Sequence, residues 1–400
     1  MWRKTVAQVN FCYAPLVRAP DMLDADNRLF ALAREGQRQP SMLVAITVTI
    51  VTLAVTIVGG QMLARIIFHT IPLAGTESST DPFVEGIRRL IDDAVGFLPV
   101  YLCLWGWLAF WSKRSFRTLG FERQRPAAHA LGGGLVGLLM MSIVAIGIVM
   151  LPRTALARGT LQTAGLVAIG SSLLTLAGTA IQSSAEEALF RGWLLPSIGL
   201  RAGPWIGVTV SSLLFGLAHG LNPHVTALGV INLTLFGGFL ALYALREGGL
   251  WGACAWHTAW NWTESDLFGL SGSGGPLHGA LLTSVKPGGP DVATGGAFGP
   301  DGGLIQLAVL LIGVAVLVSL VTDVKNNSGN GLKTVGRSKR QPSRRWISTG
   351  DGTSPPCTMR EVKGHQCTLR PLRACQRIRS RSASTCCVWW YAASSCAHSS

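Results

Sequence analysis

The stretch Ser184-Ala185-Glu186-Glu187-Ala188-Leu189-Phe190-Arg191 places three ionisable residues inside an apolar segment that runs from 161 to 200. A charged side chain at the centre of a bilayer costs about 2.5–3.5 kcal/mol on insertion scales, so such residues are rare and usually functional. On a helix, Glu187 and Arg191 are i,i+4 neighbours with the acid first, which is the favourable order for an ion pair. Glu186 lies about 100° further round the helix. The stretch therefore predicts one neutralised carboxylate and one that points elsewhere.

The composition indicates an integral membrane protein. Apolar residues make up 48% of the chain, charged residues 14%, and the mean hydropathy is +0.38, whereas soluble domains carry about 25% charged residues. The net charge of +14 belongs mainly to the C-terminal part, because residues 323–400 contain 14 Lys and Arg against 3 acidic residues. A single basic tail does not indicate a nucleic-acid-binding protein, and we expect no nucleic-acid partner.

Eight apolar runs predict membrane helices, since about 20 helical residues span the hydrocarbon core of a bilayer. They are 42–63, 94–111, 130–151, 161–200, 205–221, 226–245, 250–262 and 304–321. Between the first two runs we expect a loop rich in acidic residues that includes Asp92 and Asp93. The predicted fold class is all-α, a polytopic integral-membrane helical bundle with roughly eight transmembrane helices.

The chain divides into six predicted parts. They are a cytoplasmic N-terminal segment (1–41), N-terminal membrane helices (42–160), a core with the opening stretch (161–266), a Gly-rich loop (267–303), a last transmembrane helix (304–322) and a basic tail rich in Cys, Ser and Arg (323–400). We expect this tail to be disordered, with a frameshifted gene end as the alternative. The Lys/Arg bias of the loops predicts a multi-pass protein with both termini in the cytoplasm, in the cell membrane if the host is bacterial.

Two further pairs of residues recur at helical spacing within the apolar runs. Phe215 and His219 are i,i+4 neighbours in the fifth run, and His257 and Asn261 are i,i+4 neighbours in the seventh. At a rise of 1.5 Å per residue from the turns near 201 and 248, Glu186 and the polar members of both pairs lie about 14–24 Å along their helices. They therefore share one layer if those turns lie on the same side of the membrane.

This set of residues supports two mechanisms. In the first, Glu186 with His219 as its partner holds and deprotonates a water, while His257 and Asn261 donate hydrogen bonds to a developing oxyanion. In the second, Glu186, His219 and His257 supply one carboxylate and two imidazoles, the ligand set of a catalytic zinc site. The residues leave both mechanisms open. Phe215 is expected to support the site by packing.

Three motifs in this order resemble the CAAX-protease and bacteriocin-processing family (CPBP, also called Abi) of intramembrane endopeptidases. They are Glu186-Glu187-x-x-x-Arg191, Phe215-x-x-x-His219 and His257-x-x-x-Asn261. The resemblance covers about 165–264 and implies a membrane-bound endopeptidase of the CAAX prenyl protease type. Its implied partners are the lipid bilayer and a membrane-associated protein or peptide substrate, which is prenylated in the eukaryotic relatives.

The resemblance also implies a role for each site residue. Glu186 is the catalytic carboxylate and His219 its water-holding partner, His257 and Asn261 are oxyanion donors, and Glu187 with Arg191 is a supporting pair. The family is commonly labelled metalloprotease, while a metal-free glutamate mechanism has also been argued. No cofactor is therefore certain, and a zinc ion held by Glu186, His219 and His257 is the alternative.

Two other classes of function remain as alternatives. A proton- or ion-coupled transporter could use Glu186 and the histidines as a relay, although the inverted repeat with broken helices that is typical of transporters is not visible in the sequence. A non-enzymatic immunity or scaffold protein of the membrane would retain the same residues without using them for catalysis.

Overall fold

A computed structural model describes residues 23–24, 26–70, 81–122, 125–275 and 280–335. Within these residues the predicted all-α class is confirmed, because one short two-stranded sheet is the only β-structure. The α-helices, in chain order, are α1 (Arg28–Arg34), α2 (Met42–Val55), α3 (Gln61–Thr70), α4 (Pro82–Gly106), α5 (Pro126–Val149), α6 (Thr160–Ala164), α7 (Leu166–Glu187), α8 (Leu195–Ala202), α9 (Pro204–Ala218), α10 (Ala227–Glu247), α11 (Trp251–Trp262), α12 (Asp291–Thr294) and α13 (Leu304–Val335). The strands β1 (Ala155–Arg158) and β2 (Thr283–Lys286) pair antiparallel, with Ala155 opposite Lys286.

Six helical segments of the described residues are long and apolar enough to cross a membrane. They are Met42–Thr70, Pro82–Ser112, Pro126–Val149, Leu166–Ala202, Pro204–Leu221 and Ala227–Glu247. The other two predicted spans are shorter, since α11 has 12 residues and the apolar part of α13 is Leu304–Ser319. Large apolar side chains lie on the outer surface, for example Leu131 and Leu166, which are 66% and 83% exposed. The chain is therefore an integral membrane protein, and six of the eight predicted spans have the length that crossing needs.

The second span begins earlier than predicted. The acidic segment that contains Asp92 and Asp93 was expected to be a loop, and from residue 82 onward this prediction is wrong, because α4 begins at Pro82. The Asp81 side chain accepts a hydrogen bond from the Phe83 amide, and proline at the first helical position is favourable. Asp92, which is exposed, and Asp93, which is partly buried, both line a cavity between the helices. Residues 71–80 of the predicted loop lie outside the described residues.

The two ends of the chain also differ from the predicted boundaries. The last helix extends beyond the predicted span 304–321, because α13 continues to Val335 and thus into the segment predicted as a tail. The N-terminal segment contributes to the core, since Leu29 and Phe30 of α1 are 1% and 0% exposed. The expectations for residues 1–22 and 336–400 lie outside the described residues.

The packing of α11 sets the position of the third motif. This helix packs against α5 and α7, and α7 also packs against α4. A Cβ at Gly133 would meet the backbone of Gly252, and one at Gly137 would meet the backbone carbonyl of Trp256. Small residues are what allow helix backbones to approach this closely in a membrane. Because Trp256 precedes His257, the glycine contact fixes the height of that histidine in the bundle.

Three of the four π-helical turns in the described residues surround one cavity. They are Thr56–Gly60 between α2 and α3, Ala188–Leu194 between α7 and α8, and Thr263–Leu267 after α11, and each contributes residues to the cavity wall. A π-helical turn changes the direction of the side chains that follow it and is frequent at functional sites. The helices around this cavity therefore depart from regular α-helical geometry where they line it.

Candidate active site

All the predicted site residues lie in one region of the structure. A cavity of about 490 Å³ lies between α2, α4, α7, α9, α10 and α11. Five of the predicted residues line this cavity, namely Glu186, Phe215, His219, His257 and Asn261. The other two, Glu187 and Arg191, are completely buried beside it.

Glu187 is the centre of a buried charge network. Its Oε1 accepts a hydrogen bond from Arg191 Nη1 at 2.7 Å, so the predicted i,i+4 ion pair is formed. The same oxygen accepts a second hydrogen bond from His257 Nδ1 at 2.9 Å. The other guanidinium nitrogen, Arg191 Nη2, donates to the carbonyl of Gly237 at 3.2 Å. Glu187 thus connects the first motif to the third, a connection that the sequence did not predict.

The hydrogen bond to Glu187 orients the ring of His257. Because an ionised carboxylate only accepts hydrogen bonds, Nδ1 must be the donor. The opposite nitrogen, Nε2, then faces Glu186, with 3.9 Å between Nε2 and Glu186 Oε2. The Glu187 carboxylate therefore holds the His257 ring at Nδ1, and the Glu186 carboxylate lies near the opposite nitrogen, Nε2.

Glu186 is held on one side only. Its Oε1 accepts a hydrogen bond from Gln182 Nε2 at 3.0 Å. Among the described residues its Oε2 has no hydrogen-bond partner, although the atom is buried. A buried oxygen without a partner is costly and is an expected feature of a site that binds another molecule. Gln182 was not predicted, yet it lies four residues before Glu186, which is the spacing that could have revealed it.

His219 presents one ring nitrogen to the cavity. It begins the 3-10 turn His219–Leu221 at the end of α9, and its Nδ1 lies 2.8 Å from the carbonyl oxygen of Phe215. Since a carbonyl only accepts hydrogen bonds, Nδ1 is the donor and Nε2 of the neutral ring retains its lone pair. Asn261 lies one turn after His257 and also lines the cavity.

Phe215 lies between the charged groups and the imidazoles. The Arg191 guanidinium carbon is 4.3 Å from the centroid of its ring, a distance typical of a cation–π contact. The ring centroid of His219 is 4.8 Å away, and that of Phe236 is 5.8 Å away in a stacked arrangement. Phe215 therefore packs as predicted and in addition covers the buried cation.

The predicted zinc ligands do not form a metal-binding cluster. Among the described residues no group of three or more His, Cys, Asp and Glu side chains is arranged to hold a metal ion. His257 directs Nδ1 at Glu187, and His219 directs Nδ1 at a backbone carbonyl. These hydrogen bonds orient the two rings through Nδ1 and leave Nε2 of each ring available, a pattern that metal-ligating histidines also show. Because the described side chains form no cluster around one point, no step of the mechanism below uses a metal.

The cavity also contains acidic residues that the sequence interpretation did not assign to it. Asp92 and Asp93 were placed in a loop, and Glu264 and Asp301 were not considered. If residues 82–106 had been predicted as a helix, Asp92 and Asp93 would lie one turn beyond Arg88 and Arg89. That spacing could have indicated a polar side of α4 that faces the cavity.

Residues 168–263 match the model of a known protein family, described as type II CAAX prenyl endopeptidase Rce1-like. This segment is similar to the Rce1-like family. The Rce1-like segment contains every residue of the candidate site, from Gln182 to Asn261, and the resemblance described above is confirmed.

The chain has a curated relative in Bacillus subtilis (strain 168), "Uncharacterized protein YyaK". The two chains are 28% identical over 152 residues, which is 36% of this chain and 50% of the relative. The chain thus spans about half the length of this curated relative. No solved structure gives a significant match.

Proposed function

We propose that the protein is an intramembrane endopeptidase of the CAAX-protease type, which hydrolyses a peptide bond of a membrane-associated protein or peptide. The observation that carries the proposal is that Glu186 lines the cavity while its buried Oε2 has no hydrogen-bond partner among the described residues. A carboxylate in this position can accept the proton of a water molecule, which is the role of a general base.

Glu186 and His219 share the activation of water in this proposal. The lone pair on His219 Nε2 accepts a hydrogen bond from the water and orients it. The water oxygen adds to the carbonyl carbon of the scissile bond while its proton passes to Glu186. Gln182 supports this step, because its hydrogen bond at 3.0 Å fixes the direction of the carboxylate.

His257 and Asn261 stabilise the oxyanion that this addition creates. When His257 is protonated on both nitrogens, Nδ1 still donates to Glu187 and Nε2–H becomes a donor towards the cavity. The tetrahedral intermediate breaks at its C–N bond, and Glu186 returns the proton to the leaving amine.

The test is peptide profiling with the purified protein in detergent, using acylated peptides and a mass-spectrometric readout of cut sites. We expect cleavage by the wild type and a loss of about 10²–10⁴-fold in the Glu186→Gln variant, the usual contribution of a general base. Glu35→Gln is the matched control, because Glu35 is exposed and does not line the cavity. Full cleavage by Glu186→Gln would refute the proposal.

A chelator arm and a complementation arm separate the alternatives. Retained cleavage in the presence of a chelator agrees with water activation by Glu186 and His219, whereas a loss that zinc restores would require a metal mechanism. In cells, full complementation by Glu186→Gln would indicate a non-enzymatic scaffold or immunity role. Proton-coupled uptake into proteoliposomes that depends on Glu186, without any cleavage, would indicate a transporter.

A further inference from the structure

The cavity extends from Glu186 to a second group of polar residues that the proposed reaction does not use. We name this the acidic end, and it consists of Asp92, Asp93, Glu264 and Asp301. Asp92 and Asp93 come from α4, Glu264 from the π-helical turn after α11, and Asp301 from the segment before α13. Three separate parts of the chain thus bring carboxyl groups to one side of the cavity.

Cations in the same region are too few to neutralise these carboxyl groups. Arg89 is the only Lys or Arg among the described residues that line the cavity, and its guanidinium makes two hydrogen bonds to Asp266, at 2.7 and 3.3 Å. Arg88 interacts electrostatically with Asp92. Asp301 accepts hydrogen bonds from Ser273 and from Gln306, so Asp92, Asp93 and Glu264 are the members of the acidic end that a further cation would pair with.

Glu264 provides an independent indication that this end binds a ligand. Its side chain lines the cavity, the residue is 1% exposed, and Oε1 has no hydrogen-bond partner among the described residues. Burial, together with the nearby Asp301, raises the pKa of Glu264 well above its usual range. A buried carboxyl group without a donor is a costly feature that a cationic group would relieve.

The arrangement suits a flexible organic cation rather than a metal ion. No group of three or more carboxylate, histidine or cysteine side chains in the described part of the chain is arranged around one point. The Asp93 carboxylate lies against α7 at Gly178, where an added Cβ would be 2.6 Å from Oδ2. Gly178 precedes Glu186 by two helical turns, or about 12 Å, and Asp93 and Glu186 interact electrostatically.

We propose that the acidic end is a substrate subsite for a cationic side chain, a lysine or arginine that lies within about four residues of the scissile bond, since an extended chain advances about 3.3–3.6 Å per residue and the separation along α7 is about 12 Å. The ammonium or guanidinium group would donate hydrogen bonds to Asp92, Asp93 and Glu264. The same charges disfavour a free C-terminal carboxylate in this end of the cavity. The inference rests on the proposed endopeptidase function, of which it specifies the substrate class.

Binding is measured first, so that the subsite is tested separately from catalysis. Two pools of acylated peptides are compared on the Glu186→Gln variant, identical except that one pool has Lys and the other its uncharged isostere norleucine at the central position. We expect the Lys pool to bind at least tenfold more tightly. The preference should disappear in Glu186→Gln/Asp93→Asn and persist in Glu186→Gln/Asp26→Asn, since Asp26 is exposed and outside the cavity wall.

Cleavage is then measured with the wild type and single variants. We expect a kcat/KM at least tenfold higher for peptides with Lys near the cut site, and Asp93→Asn should reduce this ratio while it still cleaves the norleucine peptides. Glu264→Gln, which is isosteric, gives the same test if Asp93→Asn does not fold. Equal binding and equal cleavage of both pools would overturn the subsite but leave the endopeptidase intact. A Lys preference in binding without any cleavage would overturn the endopeptidase but leave the subsite.

Discussion

Glu186 and Glu187 are adjacent in the sequence, yet the two sides of α7 on which they lie are built in opposite ways. On the Glu187 side, one carboxylate oxygen receives hydrogen bonds from Arg191 and His257, and the carboxylate and guanidinium side chains are both 0% exposed. On the Glu186 side, a single hydrogen bond from Gln182 holds the carboxylate, and the residue lines a cavity of about 490 Å³.

The difference teaches how one helix can carry two acidic residues in a membrane. The Glu187 side is closed and contributes to stability, because its charge is paired and hydrogen-bonded where solvent cannot reach it. The Glu186 side is open, and we assign it to function because Glu186 lines the cavity, whereas Glu187, whose Oε2 also has no hydrogen-bond partner among the described residues, does not. The variants below test this division, in order of decreasing expected effect.

The largest effect is expected at Glu186. The Glu186→Gln substitution keeps the shape and the contact with Gln182 but removes the base, so cleavage should fall by about 10²–10⁴-fold. The free energy of unfolding in detergent should change by less than about 1 kcal/mol, because Gln can keep the hydrogen bond from Gln182 and the 3.9 Å approach to His257 Nε2 is too long for a hydrogen bond. Cleavage rates and circular-dichroism melting curves of one preparation measure both quantities, and a large loss of stability would contradict the division.

At Glu187, in contrast, we expect a substitution to reduce the stability of the protein strongly. The Glu187→Gln substitution leaves the Arg191 guanidinium buried without its counter-ion, and the free energy of unfolding should fall by about 3–5 kcal/mol. Cleavage should fall as well, since His257 loses the acceptor that orients it.

A double variant provides the control for this prediction. Glu187→Gln/Arg191→Met removes both charges, so it should be less destabilised than the sum of the two single variants. Strict additivity in melting experiments would show that the ion pair does not stabilise the closed side.

The helix contact behind His257 should give an intermediate effect. In Gly137→Ala the new methyl group meets the backbone carbonyl of Trp256, which should cost about 1–3 kcal/mol of stability, as overpacking usually does. Because α11 must move, the activity should fall too. Gly132→Ala is the matched control, since a Cβ at Gly132 has no neighbour within 4 Å. Equal stability of the two variants would argue against close packing of α5 on α11.

The smallest effect is expected at Gln182. The Gln182→Met substitution keeps the length of the side chain and removes the donor to Glu186. A hydrogen bond of this kind is worth about 0.5–1.5 kcal/mol, which corresponds to at most about a tenfold loss of kcat/KM. Stability should remain at the wild-type value. A variant as inactive as Glu186→Gln would mean that Gln182 takes part in the chemistry directly.

The successes of the sequence interpretation have local physical causes. The long apolar runs predicted helices in a membrane because their length and composition alone satisfy the bilayer. The pair Glu187–Arg191 could be predicted because i,i+4 neighbours on one helix meet whatever the tertiary structure is. The errors are at charged segments. Asp92 and Asp93 were placed in a loop because charged residues are unusual in a membrane helix, whereas they belong to α4 and line a cavity.

By itself, the sequence determined the all-α membrane architecture, the order of the three motifs and the ion pair within the first of them. The tertiary structure decided the contacts between the motifs: that His257 donates to Glu187, that Glu186 retains an oxygen without a partner, and that α4 brings two aspartates to the same cavity. The physical reason is that helical periodicity fixes neighbours along one helix. Neighbours on different helices depend on helix packing and on π-helical turns, neither of which has a readable sequence period.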